Sequence, residues 1–140
     1  MIKIYTDGAC IGNPGPGGWS AIIFDQNHKK EIYGGEKHTT NNRMELVAAI
    51  QSLKYFSQRK KIKIYTDSKY VKDGILSWIK KWEKNNWKTS NKKKVKNIDL
   101  WMDLNNLVKF HEVEWMWIKG HSVNKFNNLA DELAKKAVPV

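Results

Sequence analysis

The chain has 140 residues, one cysteine, Cys10, and 25 Lys plus Arg against 14 Asp plus Glu, a formal net charge of +11. That length suits one domain able to bury roughly two thirds of its unfolded surface, and a lone cysteine excludes an internal disulfide, so folding needs no oxidising compartment. No basic-then-apolar leader precedes the first strand-like residues, and no apolar run approaches the roughly eighteen residues of a spanning helix. A soluble, cytoplasmic protein with no membrane partner is expected.

Residues 1–7 alternate between apolar and polar and are rich in β-branched and aromatic types, which predicts a strand. The stretch GNPGPGG then breaks regular structure. WSAIIFD reads as a second strand, QNHKK as a turn and EIYGGEKH as a third strand, an antiparallel meander. TTNNRMELVAAIQSLKYF reads as a helix, with Asn or Thr available as N-cap and an apolar stripe through Leu46, Ala49, Ile50 and Leu53. After the basic link SQRKK, residues 62–67 repeat the IKIYTD of residues 2–7 and predict a fourth strand. Helical sequence follows from about Ser68 to Trp87, and again from Asn97 to Val108 after a polar loop. HEVEWMWI is the last strand, KGHSVNKF a loop and NNLADELAKKAV the last helix. Hairpins at the start and helix-linked strands afterwards imply a mixed five-stranded sheet, an antiparallel meander plus parallel strands, flanked by helices in an α/β fold.

The positive charge is concentrated. In WIKKWEKNNWKTSNKKKVK, residues 78–96, eight lysines face one acid, Glu83. A basic helical protrusion of this kind suits a polyanion, of which nucleic acid is the commonest; the bland alternative is a solvated lysine-rich face.

The duplicated hexapeptide raises the question of chemistry. The flanks of the two copies do not match, which argues against an internal repeat. If the copies are parallel neighbours, Asp7 and Asp67 end side by side at one sheet edge, beyond the carboxyl ends of the strands, where such folds place their sites. Either aspartate alone could be an ordinary loop or capping residue. Glu45, three after Asn42, and Asp131, three after Asn128, fall in first helical turns by this reading. There they serve the helix dipole or a cap, or else project toward the same edge. Four carboxylates without a matching arginine would repel one another unless cations held them. All-oxygen ligation suits Mg²⁺ or Mn²⁺, while one Cys and four scattered His argue against structural zinc.

YTDGACIGNPGPGG, TTNNRMEL, YTDSKYV, WIKKWEKNNW, VKNIDLW and WIKGH followed by ADELA, in this order, resemble type 1 ribonuclease H of the monomeric bacterial form. The resemblance spans residues 1 to about 137 and makes the whole of 1–140 one ribonuclease H domain, with the protrusion at about 78–96. It implies hydrolysis of the RNA strand of RNA/DNA hybrids by a two-metal-ion mechanism, giving 3′-hydroxyl and 5′-phosphate ends. Asp7, Glu45, Asp67 and Asp131 would hold two Mg²⁺ ions, replaceable by Mn²⁺, and His121 would carry a proton or help product leave. Cys10, Asn13, Asn41 and Asn42 would lie along the RNA strand. Thr40 and Asn97 would bind a DNA phosphate, Trp78 and Trp82 would meet deoxyribose, and Lys84 and Lys88, among the protrusion's lysines, would contact phosphates. The pattern departs at His38, where relatives carry arginine, and at Lys69 and Asp73, where they carry amides; the departures touch the phosphate pocket and groove contacts. No obligate protein partner is expected. Three other readings are distinguishable: a reverse-transcriptase ribonuclease H domain needing a partner, a transposase-type nuclease, and a non-catalytic nucleic-acid-binding module that would survive Asp7→Asn.

Overall fold

The computed structural model describes residues 1–89, 93–119 and 124–139. Five strands, β1 (Ile2–Cys10), β2 (Gly15–Asp25), β3 (His28–Thr39), β4 (Lys61–Thr66) and β5 (Glu112–Trp117), form one sheet in the order β3-β2-β1-β4-β5. β1 pairs antiparallel with β2 and parallel with β4, and β5 is parallel to β4, so the expected mixed sheet is present. The helices are α1 (Asn41–Lys54), α2 (Lys69–Asp73), α3 (Ile79–Lys84), α4 (Ile98–Phe110) and α5 (Lys125–Ala137). Among the described residues no helix is long and apolar enough to cross a membrane.

The two IKIYTD copies lie in register, Ile2 opposite Ile62 through Tyr5 opposite Tyr65. Period-2 alternation then explains why the copies are identical. Ile2, Ile4, Ile62 and Ile64 join the main core with Leu46, Ala49, Ile50 and Leu53 of α1. On the other face Tyr5 and Tyr65 stack with centroids 4.4 Å apart, and Tyr5 packs with Phe126 and Ala130 of α5. Asp7 belongs to this second series, two residues beyond Tyr5.

Helix and strand boundaries depart from the sequence expectation in three places, one being β2, which begins at Gly15 inside the GNPGPGG stretch expected to break regular structure. β1 runs on past Asp7 to Cys10 because it keeps pairing with β2 after its ladder with β4 has stopped at Tyr5. The segment expected to be one helix from Ser68 to Trp87 is α2, a π-helical turn at Gly74–Trp78, and α3, ending at Lys84. Asn86 and Trp87 both have positive φ, which stops the helix. The π turn inserts a residue into the hydrogen-bond ladder beside Trp101, the largest fully buried side chain. A Cβ at Gly74 would lie 2.0 Å from the Trp101 ring, so only glycine lets the chain pass over that indole.

Candidate active site and nucleic-acid interface

The strands β1 and β4 part company just after Tyr5 and Tyr65, and the opening between them is acidic. Asp7 remains on β1 opposite Ser20 of β2, while Asp67 is the residue after β4. Glu45 reaches the same opening from α1. One carboxylate oxygen from each of Asp7, Glu45 and Asp67 lies within 4.8 Å of the other two. Asp131 arrives from α5 near enough to act on Asp7, but it is not among the three carboxylates whose oxygens converge within 4.8 Å.

Neither helical acid is in a first turn. α1 is capped by Thr40, whose hydroxyl accepts from the Arg43 N–H at 3.2 Å, which puts Glu45 in the second turn. α5 is capped by Asn124, whose Oδ1 accepts from Phe126 and Asn127 N–H groups, so Asp131 stands well inside the helix. Capping and dipole roles, which act within the first turn, therefore explain neither acid.

α1 lies so close to β1 that a Cβ on Gly8 would be 2.6 Å from the Glu45 nitrogen and 2.7 Å from the Met44 carbonyl carbon. The same glycine's backbone N–H favours the charged forms of both Asp7 and Glu45 and lowers their pKa values. It supplies too little to offset burial. Desolvation, then the charge of Asp67 and the shared hydrogen bond with Asp131, push Asp7 up to about 8. Glu45 is raised well above the ordinary carboxylate range by burial first and by Asp7 and Asp67 next. Among the described residues no ion pair reaches Asp7, Glu45 or Asp67; only Asp131 has a cation, Lys135 Nζ at 2.9 Å. Glu45 Oε1 is buried with no hydrogen-bond partner. Carboxyls crowded together without a counter-charge, two of them buried and raised and one with an oxygen left over, fit a hard divalent cation held by oxygen donors.

A second group of polar contacts lies around the start of α1. Asn13 Oδ1 accepts from Asn41 N at 2.8 Å, which fastens the Gly-Pro loop to the helix, and Cys10 Sγ lies 3.4 Å from the Thr39 carbonyl. Cys10, Asn13, Thr40 and Asn41 thus form one continuous surface, with Asn42 exposed on the next position. Asn97, in a left-handed conformation before α4, has both ends of its amide engaged. Its Oδ1 accepts from Arg43 Nη1 at 3.2 Å and its Nδ2 donates to the Tyr70 hydroxyl at 3.0 Å. Arg43 also holds Asp99 in a two-pronged ion pair at 2.9 and 3.1 Å. Trp78 and Trp82, with centroids 5.8 Å apart, pack against Trp101 and line a cavity of about 320 Å³ with Tyr70, Thr89, Val95 and Lys96. Lys84 and Lys88 are exposed beyond it, and Lys88 bridges to Lys94.

The RNase H family model matches residues 1–139. A ribonuclease H of Wolbachia pipientis wMel is 58% identical over 137 residues, covering 98% of this chain and 94% of that one. A ribonuclease H of Acetivibrio thermocellus is 54% identical over 134 residues, covering 95% and 91%. This chain belongs to the ribonuclease H family.

Its kinship with type 1 enzymes extends to structure. LC9-RNase H1, described as a type 1 RNase H with the type 2 active-site motif, superposes with a TM-score of 0.86 at 30% identity, over 98% of this chain and 71% of that one. LC11-RNase H1, solved in complex with an RNA/DNA hybrid, shares the fold with a TM-score of 0.72 at 22% identity, over 99% and 96% of the two chains. The chain is accordingly an enzyme of a metal-dependent hydrolase family.

Two of the departures from the ribonuclease H pattern answer each other. Lys69 Nζ pairs with Asp73 Oδ2 at 3.2 Å along α2, so the two changes leave no net charge there. His38 is exposed, and Arg43 is the guanidinium that reaches Asn97. Arg43, Tyr70 and Asp99 were not singled out in the sequence as part of this pocket. Arg43 carried one available signal, being one of only two arginines in a lysine-rich chain; the other two carried none. His121 lies outside the described residues, as does Lys92 among the protrusion's lysines.

Proposed function

We propose that this ribonuclease H cuts the RNA strand of RNA/DNA hybrids internally, with Asp7, Glu45, Asp67 and Asp131 holding two Mg²⁺ ions, to leave 3′-hydroxyl and 5′-phosphate ends. The observation that carries the reading is the buried, unneutralised carboxylate cluster between β1 and β4, with Glu45 Oε1 unpartnered. When bound, the ions supply an activated water and neutralise charge developing on the leaving oxygen. The chain's own contribution is placement. Gly8 N–H orients the Asp7 and Glu45 carboxylates, and the α1–β1 contact keeps Glu45 from retreating. His121 is the proposed proton carrier, on its place in the sequence alone.

On the substrate side, Cys10, Asn13, Asn41 and Asn42 offer backbone and amide groups for 2′-hydroxyls of the RNA strand, on the surface fastened by the Asn13–Asn41 hydrogen bond. Thr40 and Asn97 face the DNA backbone, with Trp78 and Trp82 against sugars that lack the hydroxyl and Lys84 and Lys88 on phosphates. The hybrid in the LC11-RNase H1 complex supports this substrate class. We further propose that residues 1–140 act as one domain, as a cytoplasmic monomer with no obligate partner.

The test is an end-labelled RNA offered annealed to DNA, annealed to RNA, or alone, with Mg²⁺ and with chelator. Cutting is expected only in the hybrid and only with metal, with affinity falling with salt by a log slope of about 0.9 per neutralised phosphate. Equal cutting of the RNA duplex, or cutting that survives chelation, contradicts the reading.

A further inference from the structure

Asp131 enters the cleft from α5, so its distance from Asp7 depends on how that helix is set down on the sheet. The contact is unusually close on both β2 and β3. A Cβ on Gly18 would be 2.2 Å from the Ala134 carbonyl oxygen, and one on Gly35 2.2 Å from that of Ala137. Two residues along from Gly18, on the same face, is Ser20. It stands directly opposite Asp7 in the β1–β2 ladder. Its hydroxyl donates to the Ala130 carbonyl at 2.6 Å, and both residues are fully buried. Ala130 is the residue before Asp131.

We propose that Ser20 is a positioning residue for Asp131: its hydrogen bond to Ala130 fixes the separation of the Asp7 and Asp131 carboxyls and so tunes the cation affinity of the cluster. This rests on the reading of Asp131 as a metal ligand. A buried hydroxyl must find some acceptor, and satisfying it would be reason enough for the bond. Two things set this one apart. It ties the strand position facing Asp7 to the helix residue adjoining Asp131, and it does so at a helix carbonyl that its own helix can already occupy with the N–H four residues on. Asp131 follows Ala130 directly on α5, so a small slide of α5 along β2 would change its distance from Asp7. Without the hydroxyl, the close glycine contacts still hold α5 against the sheet but leave its slide along β2 less constrained.

The experiment is Mn²⁺ binding to the free protein, followed by electron paramagnetic resonance, for the wild type, Ser20→Ala, Ser20→Thr, Asp131→Asn and the Ser20→Ala/Asp131→Asn double variant. Ser20→Ala is expected to weaken Mn²⁺ binding about fivefold with the hybrid KM unchanged, and Ser20→Thr, which keeps the hydroxyl, to bind more tightly than Ser20→Ala. In the Asp131→Asn background Ser20→Ala should weaken binding no further. Wild-type Mn²⁺ affinity in Ser20→Ala while Asp131→Asn is weakened overturns the proposal and leaves Ser20 a packing group. So does an undiminished Ser20→Ala effect in the double variant. Unchanged binding in Asp131→Asn removes Asp131 from the metal site and the Ser20 proposal with it, without touching Asp7, Glu45 and Asp67.

Discussion

Asp7→Asn abolishes RNA cleavage, by about 10³-fold or more, and at the same time raises the melting temperature of the metal-free protein. The two effects have one cause. Asp7 titrates at about 8 in the folded chain, against roughly 3.9 unfolded. The folded state therefore binds more protons across that interval, and stability falls as pH rises through it. The contribution is fully present below about pH 4 and is lost once pH passes the folded value near 8. Asparagine keeps the shape and has no charge to bury. The variant should match the wild type near pH 4 and exceed it by about 2 kcal/mol at pH 8, after allowance for relaxation and water entry. That corresponds to roughly 5–8 °C for a chain of this size. Thermal melts across pH, with and without Mg²⁺, check it: added Mg²⁺ should stabilise the wild type and narrow the gap. A variant that is less stable than the wild type at pH 8 without metal would contradict the electrostatic account of the cluster.

Gly8→Ala has the second large effect, on fold and activity together. The new methyl would meet the Glu45 nitrogen at 2.6 Å, the Met44 carbonyl carbon at 2.7 Å and Met44 Cβ at 2.9 Å. Two of these are backbone atoms inside a helix and cannot swing away. α1 must lift off β1, at a cost of about 3 kcal/mol. The lift carries Glu45 out of reach of Asp7 and Asp67, so kcat should fall about 100-fold even where the variant is folded. Urea denaturation and single-turnover cleavage below the unfolding transition separate the two losses. Wild-type stability and kcat would show that α1 does not set the position of Glu45.

The parts of this architecture that could be read in the sequence are those with a local or repeated signal. The IKIYTD copies share a sequence because they share a ladder register, two faces of packing and an aspartate at the cleft, so the pairing of Asp7 with Asp67 could be inferred from the duplication itself. The helical acids were harder. Thr39, Thr40, Asn41 and Asn42 are all acceptable caps, as are Asn124, Asn127 and Asn128, so the capping signal is degenerate, and first turns counted from Asn42 and Asn128 start later than the actual caps, Thr40 and Asn124. The extension of β1 past Asp7 depends on its partner β2 and has no counterpart in local propensity. Ser20 reaches Ala130 across 110 residues of chain through one hydrogen bond, and Arg43 reaches Asn97 and Asp99 across 54 and 56 residues; nothing near either in sequence announces it. The π turn is set by the bulk of Trp101 against Gly74, again a tertiary demand.

Calorimetric titration of the free protein with Mg²⁺ at pH 7, in buffers of different ionisation enthalpy, tests most directly whether the acidic cluster is a divalent-cation site. Since Asp7 and Glu45 are both raised above the ordinary carboxylate range without metal, binding must displace protons. The predicted result is proton release that grows below pH 8 and is markedly reduced in Asp7→Asn. Binding with no proton release, or release unaltered by Asp7→Asn, would place the cation elsewhere and contradict the account.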